Sequence, residues 1–174
     1  MKKIVLLGLI LVISPSIKSQ TCQNNIPSDT PNSRYTINTD GTVLDKQTGL
    51  IWMRCSLGQT LSNNTCSGST KNYNWQTALQ IADTTVFAGQ TDWRLPNIKE
   101  LRSIVDYHCI NPSINLTIFP NTLSGTQTDG FFSSSYIDNM YVWGLSFAGG
   151  YNNYYGQYAD KTHDGFVRLV RGGQ

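Results

Sequence analysis

The chain is poor in the features that usually announce a function. It holds no C-x-x-C pair, and its two histidines, His108 and His163, are too few and too scattered for a zinc site. No run of Lys or Arg marks a nucleic-acid surface. After the first apolar run no second one of membrane length follows. There is no collagen-like Gly repeat, no heptad pattern and no internal repeat of fixed period, which argues against fibrous, coiled-coil and solenoid architectures.

What the chain does have begins at its first residues. Lys2 and Lys3 precede an apolar run over residues 4–13, and Ser14, Pro15, Ser16 and Ser19 supply small residues beyond it. This is the pattern of a secretory signal peptide, too short to span a bilayer. Cleavage is expected after Ser19, with Ser16 as the alternative; Gln20 and Thr21 do not suit lipid attachment at Cys22. Removing residues 1–19 leaves 155 of the 174 residues, enough for one domain with a real core. It also takes Lys2, Lys3 and Lys18 from the 13 basic residues, so 10 remain against 11 acidic and the net charge becomes −1. All four cysteines follow the signal, and an even count in an exported chain reads as two disulfides. Of three pairings we favour Cys55–Cys66, pinning a local polar loop, which leaves Cys22–Cys109 tying the N-terminus to the middle of the domain. On the chain-entropy model these contribute roughly 3 and 4–5 kcal/mol.

The expected elements follow from pattern and punctuation. Residues 20–34 form a polar leader anchored by Cys22. Residues 35–45 suggest a hairpin turning at Asp40-Gly41. Residues 50–53 are a short apolar strand, and 58–71 a loop. Asn74 can cap a helix whose Trp75, Ala78, Leu79 and Ala82 share one face. Asn97 and Glu100 form a capping-box pattern for a second helix, with Ile98, Leu101 and Val105 on its buried side. Residues 111–130 look like loop. Strands are expected over 131–135, 141–147, 151–158 and 165–171, the last with Val167 and Leu169 on one face and Arg168 on the other. Helices in the middle and strands at both ends make an α+β domain with two central helices packed on an antiparallel sheet.

Catalytic constellations find little support. Ser133, Ser134 and Ser135 lie in a strand pattern without a nucleophile elbow, and residues 144–149 are one residue too long for G-x-S-x-G. Neither His108 nor His163 pairs with a serine by pattern. Oxidised cysteines offer no thiolate. The Trp93-Arg94-Leu95-Pro96 stretch reads as structural, with Arg94 holding a carboxylate or carbonyls beneath the helix. Asn63-Asn64-Thr65 and Asn115-Leu116-Thr117 match the glycosylation acceptor pattern by chance. No enzyme and no cofactor is expected. Calcium stays open: Asp129, Asp138, Asp160 and Asp164 are candidate ligands, but no Glu-Pro-Asn or Trp-Asn-Asp triplet accompanies them.

The segment over residues 139–164 carries most of the functional information. Asn139, Tyr141, Tyr151, Asn152, Asn153, Tyr154, Tyr155, Tyr158, Asp160 and His163 are concentrated there, where a core would use Leu, Ile and Val. Tyr gives large amphipathic contact area at low entropic cost, and Asn gives adaptable hydrogen bonds. These ten residues are the expected ligand-binding set. The same composition also fits subunit contacts in a surface appendage, or a retroelement-diversified protein-binding receptor.

Several stretches resemble a known family. They are Asp40-Gly41-Thr42-Val43 with Asp45, Thr48-Gly49-Leu50-Ile51-Trp52-Met53-Arg54, Trp75-Gln76-x-Ala78-Leu79, Asp92-Trp93-Arg94-Leu95-Pro96-Asn97-x-Lys99-Glu100-Leu101, Phe132-Ser133-Ser134-Ser135 and Val167-Arg168-x-Val170-Arg171-Gly172-Gly173. Over residues 35–174 the chain resembles the C-terminal domain of the Legionella collagen-like adhesin, the Lcl C-terminal domain family. The resemblance implies a C-type-lectin-like fold and extracellular adhesion, with sulfated glycosaminoglycans the ligand class of the named adhesin. Formylglycine-generating relatives of that fold use cysteines near the C-terminus, and none follows Cys109 here. The expectation is a secreted protein, extracellular or at the cell surface with the periplasm as alternative, that binds a glycan or protein. It is not expected to bind nucleic acid or to be an integral membrane protein, and its oligomeric state is left open.

Overall fold

A computed structural model describes residues 19–125, 130–149 and 157–172. The expected signal peptide, apart from Ser19, and Asp129, Tyr151, Asn152, Asn153, Tyr154 and Tyr155 lie outside these residues.

In chain order the elements are β1 (Thr21–Cys22), a 3₁₀ turn (Asn32–Arg34), β2 (Tyr35–Ile37), β3 (Thr42–Asp45), β4 (Ile51–Met53), β5 (Thr60–Ser62), β6 (Thr65–Ser67), α1 (Trp75–Thr84), α2 (Ile98–Ser103), β7 (Cys109–Ile110), β8 (Phe131–Tyr136), β9 (Tyr141–Leu145), β10 (Gln157–Asp160) and β11 (Val170–Arg171). A four-stranded sheet has the order β11-β4-β3-β2 and a three-stranded sheet the order β10-β9-β8, while β1-β7 and β5-β6 form two-stranded ribbons. The strand pairs are antiparallel, and an isolated parallel bridge joins Phe131 to Phe166. The expected α+β arrangement, with helices between two sets of strands, is therefore present.

Local chemistry explains the boundaries. At the β2–β3 turn the Asp40 carboxylate accepts from the Thr42 amide at 2.9 Å and the Thr42 hydroxyl at 2.7 Å, while Gly41 takes φ +88°. The Asn74 side chain accepts from the Thr77 amide at 2.9 Å and starts α1. At α2 the capping box is complete: Asn97 accepts from the Glu100 amide, and Glu100 accepts from the Asn97 amide.

The four-stranded sheet separates two apolar clusters. Because side chains alternate along a strand, Trp52 of β4 enters one cluster while Ile51 and Met53 face the other. The first cluster gathers Val43, Trp52, Leu101, Ile104, Phe119, Phe131 and Phe147, and so anchors α2. The second gathers Ala78, Ala82, Trp93, Leu95, Val142, Val167 and Leu169, and so anchors α1. Both disulfides pair as expected, Cys22–Cys109 and Cys55–Cys66.

Several expectations change. The 58–71 stretch is not all loop but contains the β5–β6 hairpin. Asn63 (φ +48°) and Asn64 (φ +59°) supply the two left-handed positions that a tight two-residue turn demands. Residues 111–125 hold no helix or strand, as expected of a loop, but Ile114, Ile118 and Phe119 within them are fully buried in the core. Val105 is buried but lies past the end of α2. The strand expected from residue 50 begins at Ile51, and regular pairing in the 165–171 stretch is limited to Val170–Arg171, with bridges at Gly165 and Phe166. There the alternation holds but Arg168 does not face water: it is as buried as Val167 and Leu169.

Candidate functional site

The three-stranded sheet carries the candidate site. Tyr, Val and Trp favour strands, and β9 reads Tyr-Val-Trp-Gly-Leu. In the β9–β10 register Tyr158 lies opposite Trp143 and Asp160 opposite Tyr141, so these four side chains share one face. Val142, opposite Ala159, turns the other way, with Val142 buried in the second cluster and Ala159 packed against it. An ordinary one-sided sheet would place small polar residues on the outer face. This one places aromatic rings there.

The rings form a continuous row. Trp143 and Tyr158 stack at 5.5 Å between centroids with 28° between planes, and Tyr141 follows at 6.1 Å from Tyr158, tilted by 59°. Tyr158 is 66% exposed, and Tyr141 and Trp143 are half-buried. From α2 the Arg102 guanidinium lies 6.0 Å from the Trp143 ring, within cation–π range.

Polar groups fix the rim. Asp138 accepts from the amides of Met140 and Tyr141, both at 2.8 Å, and closes the β8–β9 turn. Asn139 accepts from the Tyr136 hydroxyl at 2.9 Å. Asp160 accepts from the Thr162 amide at 2.8 Å and the Thr162 hydroxyl at 2.7 Å, and these bonds, the backbone one first, hold its carboxyl below the usual range. The exposed His163 ring lies 3.8 Å from the Asp160 carboxylate. On the opposite side of the sheet the Lys161 ammonium sits 4.2 Å from the Tyr136 ring and 5.2 Å from the Trp75 ring.

Of the ten residues expected to bind ligand, Asn139, Tyr141, Tyr158, Asp160 and His163 are therefore gathered on β9, β10 and their adjoining turns. The other five fall between β9 and β10 in the sequence, outside the described residues. The sequence reading missed Trp143 and Arg102. Trp143 was legible, because it stands two positions from Tyr141 in a strand pattern. Arg102 was not, because only the packing of α2 beside β9 brings it close.

Among the described residues the three serines are tied into structural hydrogen bonds. Ser133 donates to the Trp143 carbonyl, Ser134 to the Pro96 carbonyl, and Ser135 accepts from the Ile98 amide. Neither histidine contacts any of them among the described residues. Asp138 is committed to its turn and Asp160 to Thr162. Among the described residues the one group with metal-ligand spacing is Cys22, His108 and Cys109, whose sulfurs are joined in a disulfide. Arg94 holds Glu100 through two bonds of 2.8 and 2.7 Å, as expected of a structural arginine. That pair borders a groove of about 460 Å³ between α1 and α2.

Residues 41–171 match the model of the Lcl C-terminal domain family. The chain belongs to the Lcl C-terminal domain family. That family is adhesin-associated and is not a known enzyme family. The chain matches no curated protein and no solved structure significantly. The family match spans both helices and the aromatic sheet face; Cys22 lies N-terminal to it and Cys109 within it. Among the described residues no helix is long and apolar enough to cross a membrane.

Proposed function

We propose that this Lcl C-terminal domain is a secreted, non-catalytic glycan-binding module of C-type-lectin-like fold, acting outside the cell or at its surface after cleavage behind Ser19. The observation that carries the reading is the partly exposed aromatic row Tyr141–Tyr158–Trp143, on the sheet face opposite Val142 and Ala159, which pack into the second cluster. A row of rings offers its faces to the C–H faces of pyranose units. At the rim the Asn139 amide N–H and the second carboxylate oxygen of Asp160, whose first oxygen is held by Thr162, offer a donor and an acceptor to sugar hydroxyls. Tyr151, Asn152, Asn153, Tyr154, Tyr155 and His163 extend the same chemistry from the adjoining sequence. The two disulfides brace the domain that carries this face.

A glycan array probed with residues 20–174, with calcium and with chelator, tests this. Saturable binding is expected, and Tyr158→Ala and Trp143→Ala should each weaken it about tenfold, the loss of about 1.4 kcal/mol of ring contact. Tyr154→Ala and Tyr155→Ala should weaken it too. Loss of binding in chelator would add a metal to the site. Binding to no glycan would overturn the reading and leave a protein ligand or subunit contact for the same face.

A further inference from the structure

A second constellation lies away from the aromatic face, where the leader meets the domain. Strand β1 is exposed and pairs with β7, placing Cys22 directly opposite Cys109. Their disulfide borders a cavity of about 320 Å³ shared with Ser28, Asp106, His108 and Asn115. Asp106 is buried, and its carboxylate lies 2.6 Å from Nδ1 of His108. The His108 ring in turn lies against the Cys109 sulfur, with Nδ1 at 3.5 Å and Nε2 at 3.4 Å. Nearly equal distances to both nitrogens place the sulfur over the ring.

The two ends of this disulfide are therefore unlike. Cys22 sits on an exposed strand, while Cys109 is buried and faces an imidazole oriented by a carboxylate. In thiol–disulfide exchange the accessible sulfur is attacked, and the rate rises when the departing sulfur is stabilised as thiolate. An adjacent protonated histidine is a known way of stabilising a thiolate. The other disulfide has neither feature. Cys55 and Cys66 are both buried, and the chain's two histidines are accounted for elsewhere, His108 at Cys109 and His163 at Asp160.

We propose that Cys22–Cys109 is a thiol-exchange site for a low-molecular-weight thiol, with Cys22 the attacked sulfur, Cys109 the leaving sulfur, and His108, oriented by Asp106, the group that stabilises it. The incoming thiol loses its proton and its sulfur bonds to Cys22. The Cys22–Cys109 bond breaks, the electron pair stays on Cys109 beside the imidazole, and the proton given up by the incoming thiol reaches Cys109 through solvent, leaving it as a free thiol. One disulfide is consumed and one mixed disulfide is formed, so no further oxidant or reductant is needed. The leader then keeps only its noncovalent ties, such as the Gln20 side chain on the carbonyls of Pro112 and Ile114.

The site is independent of glycan binding and is tested separately. The purified protein with both disulfides formed is exposed to reduced glutathione, quenched with an alkylating agent at intervals, and mapped by peptide mass spectrometry. The expected product carries glutathione on Cys22 and the alkyl group on Cys109, with Cys55–Cys66 intact. His108→Ala should slow its formation about tenfold. His108→Asn retains a donor for Asp106 but cannot carry the charge, and should slow it to a similar degree while leaving the fold intact by circular dichroism. Glutathione on Cys109, opening of Cys55–Cys66 at the same rate, or unchanged kinetics in both His108 variants would each overturn the proposal.

Discussion

Arg168 shows how a single residue in this domain departs from what its type predicts. Its guanidinium is fully buried, 5.0 Å from the Phe119 ring and 5.8 Å from the Phe131 ring. It donates to the carbonyls of Met53 and Arg54, to the Ser56 hydroxyl at 3.2 Å and to the Thr122 hydroxyl at 2.7 Å. Among the described residues no carboxylate pairs with it, and burial pushes its pKa down to about 9. The charge is tolerated because carbonyl and hydroxyl dipoles converge on it and two aromatic faces flank it. Removing the side chain orphans two buried carbonyls and opens a cavity between the rings. Arg168→Ala should therefore lower the unfolding free energy by about 3–5 kcal/mol, and Arg168→Lys, lacking the planar fork, by about 2 kcal/mol. Denaturant midpoints measured at constant m-value check both.

At the scale of elements, what could be read from sequence was what is encoded locally. The α2 capping box was legible because all its chemistry lies in Asn97 and Glu100, three residues apart. Asn97→Ala should cost about 1 kcal/mol in chemical denaturation, while Lys99→Ala on the exposed side of the same helix should cost no more than about 0.5 kcal/mol. The Asp40-Gly41 turn and the Cys55–Cys66 pair, 11 residues apart, were legible for the same reason, whereas Cys22–Cys109, 87 residues apart, followed only as the pair left over. The β5–β6 hairpin was missed because its flanks are polar, Thr-Leu-Ser and Thr-Cys-Ser, so no apolar alternation surrounded the Asn63-Asn64 turn. The burial of Ile114, Ile118 and Phe119 was missed because they pack across sheets far away in sequence and follow no period of 2 or 3.6. The candidate site divides likewise. Its tyrosines stood out by composition, whereas the stacking of Trp143 on Tyr158 depends on the pairing of β9 with β10, which composition does not fix.

At the scale of the whole molecule, the leader is part of the fold, and Asp106 is where it is locked. The carboxylate accepts from the Ser28 hydroxyl at 2.6 Å, the Thr30 hydroxyl at 3.0 Å and the Asp29 amide at 3.2 Å, in addition to its contact with His108. Burial alone pushes the Asp106 carboxyl up, but bonds from Ser28, His108 and Thr30 outweigh it and hold the carboxyl below the usual range. A carboxyl whose folded pKa is depressed contributes stability that is fully present above its unfolded value, near about 4. That contribution is lost as pH falls from there through the folded value. Acid should thus loosen the leader from the domain while the Cys22–Cys109 bond still tethers it. In hydrogen–deuterium exchange, the amides of residues 28–34 should lose protection as pH falls below about 4, after correction for intrinsic exchange, and before those of β3 and β4. Asp106→Asn should reproduce that loss at neutral pH, because a neutral amide cannot accept all these bonds as strongly. Protection unchanged in Asp106→Asn would mean that the disulfide and the β1–β7 pairing hold the leader alone, and that the buried carboxylate does not lock it.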